Sequence, residues 1–306
     1  MFKKVLQNVS TAVQSGKSLS VSFREQEDVF DNITLNLIEA GEESGNLEVI
    51  LGKLATELEE KESLSRKIKS AMIYPVIILV VILGVILMMM FVLVPSMSDI
   101  YNDFGADLPV ITRMLMTASD LLLDYWWAVI VVILVLYVGF KYYRSTEKGK
   151  KTIDKLLIKL PIIGKLISKT QIAQFTRILS LLLGSGLSIV KALELTGQSL
   201  SNSIFKDVVM ESKEEVEKGG PLALPIARSE YFPLLVSSMI SVGEETGEID
   251  AVLEKVSQYY KEEVDTATSN LSTILEPLML IIMGVAVGFI ALGVYMPMFG
   301  LSQVMT

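Results

Sequence analysis

The chain has 306 residues, of which 51% are hydrophobic and only 20% are charged, and its mean hydropathy is +0.51. A soluble protein of this size cannot bury so much apolar surface, so the composition indicates a membrane protein. Cysteine and histidine are absent, which excludes disulfide frameworks, Cys/His zinc sites, thiol nucleophiles and histidine bases. The net charge of −8 argues against nucleic-acid binding.

Three long apolar segments predict three transmembrane helices. Residues 72–94 are uncharged and long enough to cross a hydrocarbon core of about 30 Å. Residues 121–140 carry Tyr and Trp side chains at one edge, which is typical of a membrane interface. Residues 274–296 form the third predicted span.

The positions of Lys and Arg predict the orientation of these spans. Cationic residues precede the first span and follow the second, whereas the loop at 95–120 has Arg113 among several aspartates. The positive-inside rule therefore places residues 1–71 and 141–273 in the cytoplasm, with the loop and the tail at 297–306 outside. No signal peptide is expected, because the first long apolar run begins at residue 72.

The most informative feature is a short glycine and glutamate element that returns 202 residues later. The recurring residues are Gly41, Glu42, Glu43 and Gly45 in the first copy and Gly243, Glu244, Glu245 and Gly247 in the second. The same offset relates Pro75 to Pro277 without a gap, so we interpret the pattern as a duplication in which a helical domain leads into a span. The counterpart of residues 171–200 would precede Met1, so the first copy is expected to be about thirty residues shorter.

Helical periodicity is the pattern of the regions outside the spans. Apolar residues at Leu47, Ile50, Leu54 and Leu58 share one helix face, and strand alternation is not found. The predicted fold is therefore all-α. We expect a polytopic membrane protein with three transmembrane helices and two duplicated cytoplasmic helical-bundle domains.

Several motifs together resemble the type II secretion system protein F family. They are FTRILSLLLGSGLSIVKALEL at residues 175–195, the two glycine and glutamate elements, and the prolines at the start of spans one and three. The family includes the inner-membrane platform proteins of type IV pili and their competence-pilus homologues. The resemblance implies a non-enzymatic platform in the bacterial cytoplasmic membrane, without cofactors. It also implies contacts with a hexameric assembly ATPase, with pilin or pseudopilin and with other inner-membrane components, and we expect a homo-oligomer.

The paired glutamates are the main candidate site. Glu42 with Glu43, and Glu244 with Glu245, lie between glycines that end one helix and start the next. Such a turn is an ordinary solvated feature, but its carboxylates could also bind a divalent ion or receive Lys or Arg from a partner.

Residues in and near the spans supply further candidates. Gly284 and Gly288 have the spacing that lets another helix approach closely in lipid. Glu276 is a functional or an interfacial carboxylate at the cytoplasmic edge of span three. Pro75 and Pro277 are expected to bend the junctions between cytoplasmic helices and spans.

Enzymatic and transport functions find less support. Gly16-Lys17-Ser18 lacks the earlier glycine and the preceding strand of a phosphate-binding loop, so ATP hydrolysis by this chain is not expected. A transporter permease is the alternative function, although the spans hold only Asp124 and Glu276 as acidic residues, both near an edge. An intramembrane hydrolase would need paired aspartates or a Ser–His arrangement within the membrane spans. The chain has no histidine, and no aspartate pair lies within the predicted spans.

Overall fold

The computed structural model describes residues 2–30, 32–93, 95–96 and 110–304, and every regular element within them is a helix. In chain order the helices are α1 Phe2–Gln14, α2 Leu19–Arg24, α3 Asn32–Ser44, α4 Leu47–Met88, α5 Val110–Ser145, α6 Glu147–Lys159, α7 Ile163–Gly184, α8 Ile189–Ser199, α9 Ser203–Glu217, α10 Ala223–Arg228, α11 Leu234–Thr246 and α12 Ile249–Val304. A π-helical turn, Met89–Leu93, follows α4. The all-α prediction is confirmed for this part of the chain.

The chain divides into two compact units. The first contains residues 1–65 and 146–268, and the second contains residues 66–145 and 269–306. Most of both predicted cytoplasmic regions falls into the first unit, and buried residues from both belong to one hydrophobic core. The two duplicated helical bundles stay a prediction. The domain boundaries drawn from the sequence stay predictions.

Aromatic rings mark the centre of the first unit's core. Phe175 and Phe205 are fully buried, and each packs edge-on against Phe232, with ring centroids 5.4 and 5.2 Å apart. Leu37 of α3 and Ile50 of α4 belong to the same core, and α3 packs against α8. Burial of each large apolar side chain contributes about 1.5–3 kcal/mol, so the core holds the early and late segments together.

Glycine turns separate the helices of this unit. Gly16, Gly186 and Gly219 have φ values of 92°, 89° and 82°, in the left-handed region that favours glycine. After Gly186, the N–H of Leu187 donates to the carbonyl of Leu182 at 3.2 Å, as in a Schellman motif. The helices accordingly end at Gly184 and Glu217, and the next helices begin at Ile189 and Ala223.

The second unit contains the apolar parts of the longest helices. The helices at residues 47–92 and 249–292 are long and apolar enough to cross a membrane, and they contain most of the predicted first and third spans. The predicted second span, residues 121–140, lies within α5, where Leu134 and Leu136 are exposed. That α5 crosses a membrane stays a prediction.

The edges of α5 and α12 differ from the sequence-based boundaries. Helix α5 begins at Val110, inside the predicted loop, and loses helical geometry at Tyr125, where φ is −118° and ψ is 22°. Residues 97–109 of that loop lie outside the described residues. Helix α12 continues to Val304, through most of the predicted tail.

Candidate functional site

The first glutamate turn joins α3 to α4, and the carboxylate of its first glutamate, Glu42, binds the N-terminal end of α2. Glu42 Oε1 accepts a hydrogen bond from the backbone N–H of Leu19 at 2.7 Å. Its Oε2 accepts from the backbone N–H of Ser20 at 2.9 Å and from the Ser20 hydroxyl at 2.5 Å. The first N–H groups of a helix have no partner within the helix, so this carboxylate caps α2.

These contacts change the acidity of Glu42. The hydrogen bond from the Ser20 hydroxyl is the largest influence and lowers the pKa of the Glu42 carboxyl, while burial acts in the opposite direction. The backbone N–H groups of Ser20 and Leu19 lower the pKa further. The net pKa lies below its usual value, because the contacts favour the charged form.

The second glutamate turn joins α11 to α12 and repeats this arrangement. Glu244 Oε1 accepts from the backbone N–H of Leu222 at 2.6 Å, and Oε2 accepts from the N–H of Ala223 at 3.1 Å. These groups lie at the start of α10. The capped residue Leu222 follows Leu19 by 203 positions instead of 202. Gly219 also follows Gly16 by 203 positions, so the two copies differ by one residue in this region.

The glycines of the two turns have separate tasks. Gly45 and Gly247 have φ values of 70° and 75° and end α3 and α11 in the left-handed conformation. Gly243 lies against the backbone of the next helix, where an added Cβ would be 2.9 Å from the Cα of Ile249. This close approach explains why the turn begins with glycine.

The second glutamate of each turn has a different environment from the first. Glu43 and Glu245 are exposed, whereas Glu42 and Glu244 are partly buried under their capping contacts. Among the described residues, no group of three or more acidic side chains could hold a metal ion. The turns therefore combine a structural carboxylate with an exposed carboxylate that faces solvent.

A hydrogen bond fixes the first turn to the later helices. Asn46 Nδ2 donates to the carbonyl oxygen of Ser185, in the turn between α7 and α8, at 3.2 Å. The residue that follows Asn46 by 202 positions is Glu248, and its side chain is exposed. The two copies of the turn are thus built alike, but at this position the first has a side chain that bonds to a later helical turn and the second has an exposed carboxylate.

An ion-pair cluster also joins the early and late segments. Glu60 of α4 accepts from Lys261 Nζ of α12 at 2.7 Å and pairs with the guanidinium of Arg177 on α7. Burial raises the pKa of the Glu60 carboxyl, but hydrogen bonds from Lys261 and Arg177 outweigh it and leave the pKa below its usual value. The cluster borders a cleft of about 200 Å³ that is also lined by Leu37 and Ile178.

Sequence reasoning missed this cluster and a second polar anchor. Arg177 lies 117 positions from Glu60, and no local pattern connects them. Asp154 of α6 is buried, and its Oδ2 accepts from the backbone N–H and the hydroxyl of Ser203 at 2.8 and 2.7 Å. It caps α9 as the glutamates cap α2 and α10.

The remaining candidates lie in the long helices. Pro75 and Pro277 are inside α4 and α12, and both helices continue past them, so the predicted bends stay predictions. Glu276 is exposed. At Gly284 and Gly288, an added Cβ would meet no described atom within 4 Å outside the helix itself, so within the described chain no other helix packs on these glycines.

Comparison with known proteins gives consistent family matches. The sequence model of the family described as "Type II secretion system (T2SS), protein F" matches residues 1–95 and 175–297. The type IV pilus assembly protein PilC of Thermus thermophilus is 40% identical over 299 residues, which is 97% of this chain and 73% of that protein.

Two further relatives extend this similarity. The PilC protein of Pseudomonas aeruginosa is 36% identical over 303 residues, covering 99% of this chain and 81% of that protein. The type II secretion system protein F of Aeromonas hydrophila is 29% identical over 306 residues, covering 98% of this chain and 78% of that protein. The family match spans more than half of the chain and the similarity spans nearly all of it, so the chain belongs to the type II secretion system protein F family.

Proposed function

We propose that this chain is a platform protein of the bacterial cytoplasmic membrane that couples a cytoplasmic assembly ATPase to the insertion of pilin or pseudopilin subunits. Relatives named as type IV pilus assembly proteins and as a type II secretion component support a role in one of these machines. In this proposal the chain is a scaffold, and the chemistry of ATP hydrolysis belongs to its partner.

The two long helices are the observation that carries the proposal. Helix α4 runs from Leu47 to Met88 and α12 from Ile249 to Val304, and each passes without a break from a folded helical core into an apolar stretch. The ion pair between Glu60 and Lys261 joins these helices within the first unit. A continuous helix is stiff, so a displacement of its first turns can reach its apolar part.

The proposed topology follows from the charge distribution. Residues 1–71 and 141–273 lie in the cytoplasm, three helices cross the membrane, and the C-terminal end is extracytoplasmic. Cysteine substitution at exposed positions, followed by labelling with a membrane-impermeant reagent, tests this arrangement in a chain without native cysteine. Labelling of positions 43 and 245 from outside intact cells would contradict it.

The coupling role is tested by interrupting α4. Insertion of two glycines after Ser65 breaks the helix between Glu60 and the first predicted span. We expect the purified variant to bind the assembly ATPase, while cells that carry it assemble no pili or secrete no substrate. The control is the same insertion beside Lys17, in the turn between α1 and α2. Normal assembly with the interrupted α4 would contradict the coupling role.

A further inference from the structure

Helices α3 and α11 occupy equivalent positions in the repeat but differ in one face. On α3, Leu37 and Ala40 are buried, and α3 packs against α8. The residues 202 positions later on α11 are Met239, which is partly buried, and Val242, which is 48% exposed. Leu235, one helical turn before Met239, is 46% exposed.

These α11 residues form a stripe that ends on exposed carboxylates. Leu235, Met239 and Val242 have the i, i+4, i+7 spacing of one helix face. Beyond Val242, the turn carries exposed Glu245 and Glu248. We call these five residues the α11 face.

The earlier copy indicates how such a face is used. There, Asn46 donates to the Ser185 carbonyl in the turn of a helical hairpin, and the α3 residues are covered. At the equivalent position, Glu248 offers a carboxylate, which accepts hydrogen bonds but cannot donate them. A partner at the α11 face therefore has to supply hydrogen-bond donors, whereas Asn46 of the first copy meets a hydrogen-bond acceptor, the Ser185 carbonyl.

We propose that the α11 face is a docking surface for a helical segment of another protein that carries apolar residues along one side and Lys or Arg at one end. An amphipathic helix fits the stripe through its own i, i+4, i+7 side chains, and the cations pair with Glu245 and Glu248. The proposal rests on the proposed function only in expecting a cytoplasmic partner.

The negative charge of the α11 face favours a basic helix over two other possible partners, a second copy of this chain and the membrane surface. In a second copy that met this face through a two-fold axis, the carboxylates would lie beside the other copy's carboxylates if the helices were parallel, or beside its apolar Leu235 end if they were antiparallel. Neither arrangement supplies a cation from the α11 face. The anionic surface of the cytoplasmic leaflet attracts basic segments and repels Glu245 and Glu248. A basic helical partner satisfies both the apolar stripe and the acidic turn.

The experiment uses the full chain in cells with a photo-crosslinking amino acid at position 242. Cross-linked peptides are identified by mass spectrometry in the wild-type background and in the Glu245→Lys, Glu248→Lys double variant. We expect a peptide from another protein, with Lys or Arg within a turn of its apolar residues. Its yield should fall roughly tenfold in the double variant, since two charge pairs are lost. The matched control is Glu43→Lys, which reverses the exposed carboxylate of the other turn and should leave the yield unchanged.

Several outcomes would overturn the proposal. They are a cross-link to a second copy of this chain, a lipid adduct, a partner peptide without cations, or an equal yield in the double variant. Glu245 is preferred to Glu244 for the charge change, because Glu244 caps α10 and its loss would disturb the fold. A parallel pull-down with the purified assembly ATPase tests the proposed function. If wild-type protein fails to bind the ATPase but cross-links to another basic helix, the proposed function fails and the docking surface stands.

Discussion

The segments at residues 2–65 and 163–268 carry the same capped turn, but their surroundings differ. Phe2 is 57% exposed, whereas Phe205, its counterpart in the later segment, is fully buried. On the helices before the turns the difference is reversed, since Ala40 is 1% exposed and Val242 is 48% exposed. The carboxylate of each glutamate turn thus forms its hydrogen bonds within its own segment. The surfaces around the two turns differ in exposure and can therefore bind different partners.

The largest expected loss of stability comes from a glycine substitution in the second turn, where the two helices approach more closely than in the first. Gly243→Ala places a Cβ 2.9 Å from the Ile249 backbone and should lower the free energy of unfolding by about 3 kcal/mol. Gly41→Ala places its Cβ 3.3 Å from the Leu47 Cα and should cost about 1 kcal/mol. Chemical denaturation of the purified protein in detergent measures both. Equal losses would show that the closer packing of the later turn has no energetic consequence.

Removal of the capping carboxylates tests what the turns share. Glu42→Ala and Glu244→Ala each remove charge-assisted hydrogen bonds to a helix start, and each should cost about 2 kcal/mol of unfolding free energy. Glu43→Ala and Glu245→Ala alter only exposed side chains and should change it by less than about 0.5 kcal/mol. If the second glutamates cost as much as the first, the division of roles within the turns is wrong.

The contact between the segments is tested at Glu60. Glu60→Ala leaves Arg177 and Lys261 without this carboxylate and should cost about 1 kcal/mol, less than for a fully buried pair because solvent screens the site. Glu59→Ala, at the exposed neighbouring position, is the control and should have no measurable effect. Thermal unfolding monitored by circular dichroism compares the two variants. If Glu60→Ala melts at the same temperature as Glu59→Ala, the ion pair does not stabilise the contact between the two segments.

The smallest expected effect is a pH dependence specific to the first turn. The pKa of Glu42 is lower in the folded chain, so its stabilisation is complete above the unfolded pKa and is lost as pH falls through the folded pKa. Between about pH 5 and about pH 3, the melting temperature should therefore fall less in Glu42→Gln than in wild type. Glu43→Gln is the control and should follow wild type. Parallel curves for Glu42→Gln and wild type would exclude this carboxyl as a source of acid sensitivity.

Local and periodic features were predictable from the sequence. The apolar runs predicted the long helices, and the glycine breaks predicted the turns, since both depend on neighbouring residues. The repeat located the glutamate turns but could not separate Glu42 from Glu43, because the N–H groups that Glu42 binds lie 22 and 23 positions earlier. The shared core and the Glu60 cluster depend on contacts between distant segments, which one sequence does not reveal.

The short connection between α11 and α12 has a mechanical consequence. Only Gly247 and Glu248 separate the two helices, and Gly243 lies directly against Ile249 at the head of the second. Such a joint has no slack, so a push on α11 is passed on to the first turns of α12 and is not absorbed in a loop. A contact made on the exposed side of α11 can then move the start of α12 without any partner entering the core.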